Sequence, residues 1–80
     1  MRKIYEIDIM LDGTKLRRLR KEHGFTQETL AEMVGITRRH LSDLERGKKN
    51  NTLLSNSKRL SMALDVAIDE LIVEVYKKAE

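Results

Sequence analysis

The chain has 80 residues, 16 lysines and arginines against 13 aspartates and glutamates, a formal net charge of +3, and neither cysteine nor proline. That length holds one domain, residues 1–80, with a marginal core that gains from a partner subunit. The lack of cysteine excludes disulfides and thiolate metal sites and fits a reducing compartment, and no apolar run reaches the length of a membrane helix.

From the N-terminus, Tyr5, Ile7 and Ile9 alternate with Glu6 and Asp8. Period-two alternation with β-branched and aromatic residues predicts a strand over Lys3 to Met10. With these two acids inside its apolar stretch, Met1 to Met10 does not have the pattern expected of a secretory leader. Asp12-Gly13 is a turn signal, and Thr14 is the expected cap of a first helix over Thr14 to His23. Leu16 and Leu19 face inward there, with Arg17, Arg18, Arg20 and Lys21 largely outward, and Gly24 stops it. Phe25 is expected in the core at the entry to helix two.

Thr26 caps helix two, which runs to Val34. Leu30 and Val34 are four apart and share a face. Gly35 breaks the helix, because glycine has no Cβ to clash in the left-handed conformation. Ile36 then turns inward and Thr37 caps helix three, from Thr37 to Arg46, with Leu41 and Leu44 on its inner face. Ala31 is small where two helices joined by a short turn cross steeply. The blander reading of this window is an ordinary helical hairpin. Gly47 ends helix three, and Lys48-Lys49-Asn50-Asn51 is a polar, basic loop. Helix four covers roughly Leu53 to Leu64, burying Leu54, Leu60, Ala63 and Leu64, and a short helix five covers Ile68 to Leu71. The tail from Ile72 to Tyr76 alternates again. It is either a strand pairing with the first, within the chain or across a dimer, or a continuation of helix five to Lys78. Met33 and Met62 are expected as core filler.

Charge is unevenly spread. Residues 12–51 hold ten basic and six acidic residues, a net of +4, whereas the remainder holds six basic and seven acidic, a net of −1. A basic excess on a helical hairpin is the footprint of a phosphate binder, although lysines and arginines also crowd ordinary surfaces.

Residues 27–44 resemble the helix-turn-helix of the phage repressor and Cro family of Xre type. The similarity extends over about Gly13 to Ile72, with the helix-turn-helix at 26–46. It includes Leu-Arg-Arg-Leu-Arg at 16–20, Thr-Gln-Glu-Thr-Leu-Ala at 26–31, Asp-Leu-Glu-Arg-Gly-Lys at 43–48 and Ala-Leu-Asp-Val-Ala-Ile-Asp-Glu-Leu-Ile at 63–72. It implies a mainly α fold, a five-helix lambda-repressor-like DNA-binding domain, here with short N- and C-terminal β-strands. Three positions depart from the family pattern. Asp65 stands where glycine usually ends a helix. Ala67 stands where a capping serine is common, and Asn50-Asn51 where proline is frequent.

If helix three enters the major groove, its N-terminal residues lie nearest the bases. The helical wheel leaves Thr37, Arg38, Arg39, Ser42 and Asp43 facing out, and the resemblance puts base contacts at Arg38, Arg39, Ser42 and Asp43. Arginine bonds guanine O6 and N7 bidentately, so Arg38 is the first choice and a guanine-containing half-site is expected. Asp43 either accepts from cytosine or holds an arginine. Thr26 and Gln27 open helix two, whose free N–H groups favour a phosphate. By resemblance Gln27 bonds that phosphate. Arg46, Lys48, Lys49 and Asn50 follow the groove helix as phosphate contacts, and His40 on helix three is another. The resemblance also pairs Arg20 with Glu45 as a structural tie. Neither histidine has metal-ligand spacing, so no metal, no cofactor and no catalytic group is expected.

The expected function is a sequence-specific regulator of transcription, a repressor, binding a palindromic double-stranded operator as a homodimer through the terminal strands. Its expected setting is the cytoplasm of a prokaryotic cell, chromosomal or phage-encoded, at the nucleoid and not at a membrane. The alternative is an antitoxin-like regulator whose main partner is another protein.

Overall fold

A computed structural model describes residues 5–47 and 54–78, with side chains for 10–47 and 54–73. The elements in chain order are β1 (Tyr5–Leu11), α1 (Gly13–Glu22), α2 (Gln27–Val34), α3 (Arg38–Glu45), α4 (Leu54–Ala63), a 3-10 turn (Ile68–Glu70) and β2 (Ile72–Lys78).

The first helix starts earlier than expected. Asp12, not Thr14, is the cap: its carboxylate accepts from the Lys15 backbone N–H at 3.1 Å. Gly13 is thereby the first helical residue, and a Cβ there would strike the Leu44 carbonyl oxygen and lie 2.7 Å from that of Glu45. So this glycine lets the start of α1 sit directly on the last turn of α3.

Three helix ends use one device. After α1, Gly24 is left-handed and the Phe25 N–H reaches back to the Arg20 carbonyl at 3.1 Å. After α2, Gly35 is left-handed and the Ile36 N–H reaches Ala31 at 3.0 Å. After α4, Asp65 takes a φ of 54° and the Val66 N–H reaches Ser61 at 3.0 Å. Each time the residue after the left-handed position is apolar, and Phe25, Ile36 and Val66 all pack on the core.

That core joins Leu16 of α1, Leu30, Ala31 and Val34 of α2, Leu41 and Leu44 of α3, Leu60 of α4, and the flanking Leu11, Leu64 and Leu71. Burying a leucine stabilises by about 1.5–3 kcal/mol, so these side chains dominate the folding energy. Expectations on the burial of five residues are corrected. Leu54, expected inside, is 62% exposed at the start of α4; Met33 and Met62, expected as filler, are 53% and 78% exposed. Each lies off the face its helix turns to the core. Ala63 is half-buried, and Arg20, expected outward, is buried.

The expected fifth helix is only the 3-10 turn, so the described residues contain four α-helices. Ala67 precedes it without a side-chain cap, and the Leu71 carbonyl is already committed to the Asp12 N–H at 2.8 Å. A helix cannot propagate from an uncapped start into a strand that begins at Ile72. The tail is strand rather than helix. β2 pairs antiparallel with β1 in the same chain, from Tyr5 opposite Lys78 to Leu11 opposite Ile72. The buried Leu11 and Leu71 anchor the base of this ribbon in the helical core.

Candidate nucleic-acid interface

α2 and α3 are joined by the turn at Gly35 and Ile36, and their start residues are capped alike. The Thr26 hydroxyl accepts from the Thr29 N–H at 3.0 Å and donates to the Thr29 hydroxyl at 2.9 Å. The Thr37 hydroxyl accepts from the His40 N–H at 3.0 Å. Thr37, Arg38 and Arg39 are exposed, and Leu41 and Leu44 are fully buried, so α3 shows its first turn to solvent along one face.

The orientation of α3 is set by a buried carboxylate. Glu45, 7% exposed, accepts from Arg20 Nε at 2.6 Å, from Arg20 Nη2 at 3.1 Å and from Gln27 Nε2 at 3.2 Å. Arg20 Nη1 donates in addition to the Phe25 carbonyl at 2.8 Å. One acid thus ties the last turn of α1, the start of α2 and the end of α3. A charge this buried is tolerated because it is paired and its oxygens are hydrogen-bonded.

Beside this tie a cleft of about 600 Å³ opens between α1, the start of α2 and α3, lined by Arg17, Arg20, Thr26, Gln27, Glu28, Arg38, Ser42, Glu45 and Arg46. Four of these are arginines and two are glutamates, an excess of two positive charges, before the partial positive charge of the α2 N-terminus is added. Of the residues singled out in the sequence, the cleft collects Thr26, Gln27, Arg38, Ser42 and Arg46 around the Arg20–Glu45 pair. It leaves Thr37, Arg39, His40 and Asp43 on the rest of α3. Asp43 accepts from Arg46 Nη2 at 3.3 Å, so it holds an arginine one turn further on. Lys48, Lys49 and Asn50 lie outside the described residues.

Arg17 was not anticipated at the cleft. Its signal was available: it stands three residues before Arg20, one turn away on the same face of α1. His23 also has an unforeseen role. Its Nε2 donates to the Leu64 carbonyl at 2.7 Å and its ring stacks on Phe25 at 5.5 Å, tying the end of α1 to the end of α4.

Two helices joined by a tight turn at a left-handed glycine, the second exposed and capped beside a basic cleft, are the architecture of a helix-turn-helix DNA-binding protein, and a model of the helix-turn-helix family matches residues 16–71. The chain belongs to that family. Among its relatives are the HTH-type transcriptional regulator SinR of Bacillus subtilis (strain 168), 31% identical over 65 residues, and the control protein C.MunI of a Mycoplasma species, 34% identical over 67 residues. These alignments cover 81% and 82% of this chain; they cover 59% of SinR and 89% of C.MunI. Thus the chain spans under two thirds of the length of SinR. The crystal structure of the restriction-modification controller protein C.AhdI from Aeromonas hydrophila superposes with a TM-score of 0.68 at 41% identity, covering 72% of this chain and 86% of that one. A crystal structure of SinR in complex with DNA gives the same TM-score at 32% identity, with 71% and 90% covered.

Proposed function

We propose that this helix-turn-helix regulator lays α3 in the major groove of double-stranded DNA and acts as a repressor, two copies on a palindromic operator. The observation that carries this reading is the shared cleft. Arg38 and Ser42, at base-reading positions of α3, stand beside Thr26 and Gln27 at the start of α2, where a backbone phosphate is favoured. Arg38 reads first, then Arg39 and Ser42, with Thr37 and Asp43 at the edge of the reading surface. Thr26, Gln27, His40, Arg46, Lys48, Lys49 and Asn50 hold the phosphate backbone, and Arg17 joins them from α1. SinR, similar in fold and sequence, is known in complex with DNA, which supports the same use of α3 here. Repression, rather than activation, is the outcome of occupying an operator and so keeping other proteins from the same DNA. The cytoplasm of a prokaryotic cell is the compartment that fits.

Dimerisation follows from recognition itself. One helix reads only a few base pairs, and two half-sites about one helical turn apart multiply the discrimination. Selection of bound DNA from a random pool by the purified chain tests the proposal. The expected product is a palindrome with guanine in each half-site; enrichment of half-sites without guanine opposite α3 overturns the role of Arg38, and no enrichment overturns sequence-specific binding.

A second reading, a regulator whose main partner is another protein, is favoured by the terminal ribbon, since an exposed strand edge can accept a foreign strand. Solution mass separates the two: a stable homodimer supports the first reading, and a monomer that becomes ordered only with a co-expressed protein supports the second.

A further inference from the structure

The helix α4 has three large apolar side chains, and only Leu60 among them is buried; Leu54 and Met62 face solvent. The rest of its buried face is polar: Asn56, Ser57 and Ser61, with the Ser61 hydroxyl donating to the Lys58 carbonyl at 2.6 Å. A surface helix ordinarily shows the reverse, with its apolar stripe toward the core. Isolated apolar residues on a surface are common, but these two share a face. Leu54, Lys58 and Met62 follow at intervals of four residues and form one stripe, its apolar ends about 12 Å apart along the axis.

Arg59 flanks the middle of that stripe. Its Nη1 lies 4.0 Å from where a Cβ on Gly35 would stand, so the guanidinium sits beside the turn between α2 and α3. α4 carries these two cations and no acid, and among the described residues neither cation has an ion-pair partner. None of its residues lines the cleft, so this face is separate from the DNA-reading surface. Charge selects the occupant. A second copy packed here about a two-fold axis over the centre of α4 sets Lys58 and Arg59 against their own copies, with no acid on either helix to match them. A phosphate backbone matches the cations but leaves Leu54 and Met62, at either end, unburied. A protein helix with two apolar residues about two turns apart and carboxylates between them satisfies both.

We propose that the outer face of α4 is a docking site for an acidic amphipathic helix of a partner protein. Leu54 and Met62 take its apolar anchors, and Lys58 and Arg59 pair with the carboxylates between them. Methionine suits such a surface because its unbranched side chain adapts to whatever it meets. The partner is thereby held beside the helix-turn-helix. Such docking adds to DNA binding and does not depend on it.

Selection from a displayed library of amphipathic helices by the full wild-type chain tests it, with each recovered helix remeasured as a synthetic peptide. The expected peptides carry two apolar residues about seven or eight positions apart with aspartate or glutamate between them. Two double variants, Lys58→Glu with Arg59→Glu and Leu54→Ser with Met62→Ser, are each expected to weaken these peptides about tenfold or more. All four positions are exposed, so the core is spared. Peptides with lysine in place of the acids are expected to bind the charge-reversed chain, which also shows that it is folded. An empty selection, peptides indifferent to both variants, or a charge reversal that the lysine peptides do not rescue overturns the proposal. A wild-type dimer that Leu54→Ser with Met62→Ser dissociates gives the face to a second copy and overturns it as well. So does a general loss of duplex affinity, with a flatter salt slope, in the charge-reversed chain, which gives the face to phosphate. Wild-type binding to duplex DNA, measured alongside, reports on α3 separately.

Discussion

Glu45 makes one side chain answer to three helices, and its energetics differ from those of the surface pair next to it. The Arg20–Glu45 bridge has side-chain exposures of 10% and 2%, whereas Arg46, which pairs with Asp43, is 58% exposed. A solvated pair contributes about 0.2–1 kcal/mol, but removing one member of a buried pair leaves a charge alone in a poorly solvated place and costs about 3–5 kcal/mol. Arg20→Ala is therefore expected to destabilise by about 3 kcal/mol or more, a large part of the total for a domain of this size, read as a lower urea midpoint. An unchanged midpoint would show that Glu45 finds water instead. Arg38 belongs to the other kind of residue, exposed and spared from packing. Arg38→Ala should leave stability within about 0.5 kcal/mol and lose about 1–3 kcal/mol of discrimination at one base pair. Lys48→Ala should instead weaken all sequences alike. Competition assays with matched and mismatched duplexes separate these, and identical behaviour of the two variants would refute the division into base reader and phosphate anchor.

At the scale of elements, the fold depends on how helices start and stop. Gly13 is the tightest point, since α1 begins against the carbonyl oxygens of Leu44 and Glu45. Gly13→Ala must push α1 away from α3, and overpacking of this sort costs about 1–3 kcal/mol. Thermal unfolding should show a fall of several degrees, although alanine is the better helix former in isolation. A rise would mean that α1 can move without cost. Ala67 offers the reverse. It precedes the 3-10 turn with a φ of −67° and a ψ of 146°, the backbone of a cap, but has no side chain to accept a hydrogen bond. Ala67→Ser is expected to stabilise by about 0.5–1 kcal/mol, observable as a higher urea midpoint at unchanged slope.

At the scale of the molecule, a helical body with a basic cleft carries a ribbon, and the principal extents of 50 × 22 × 19 Å record the elongation. Positive charge gathers at the helix-turn-helix, so affinity for DNA should fall linearly with the logarithm of salt concentration, with a slope of about −0.9 per phosphate neutralised. Arg46→Ala, if that residue meets a phosphate, flattens the slope by about 0.9 per bound copy; a slope equal to the wild type's would remove Arg46 from the phosphate set.

Much of this was legible in residue order, and the reason is locality. Leu30 and Val34, Leu41 and Leu44, Gly35 and the threonine caps act within one or two helical turns, where spacing alone determines who shares a face. The alternation at the N-terminal end likewise marked a strand, whereas at the other end it left strand and helix both open. What needed the tertiary structure was everything decided by partners distant in sequence. By periodicity Arg20 is a solvent-facing residue of α1; only the family resemblance paired it with Glu45, 25 positions away, which the structure brings to within 2.6 Å. Leu54, Met33 and Met62 are as apolar as their buried neighbours, and only the packing of α2 and α4 shows that their faces were left out. Gly13 reads as a turn residue until α3 lies against it. The sequence by itself determined a helix-turn-helix with exposed arginines at the start of its second helix, because short-range periodicity and capping dictate local shape. The tertiary structure decided that α1, α2 and α3 are locked through one buried acid and that the two ends of the chain meet in one sheet, because those contacts exist only after the chain closes on itself.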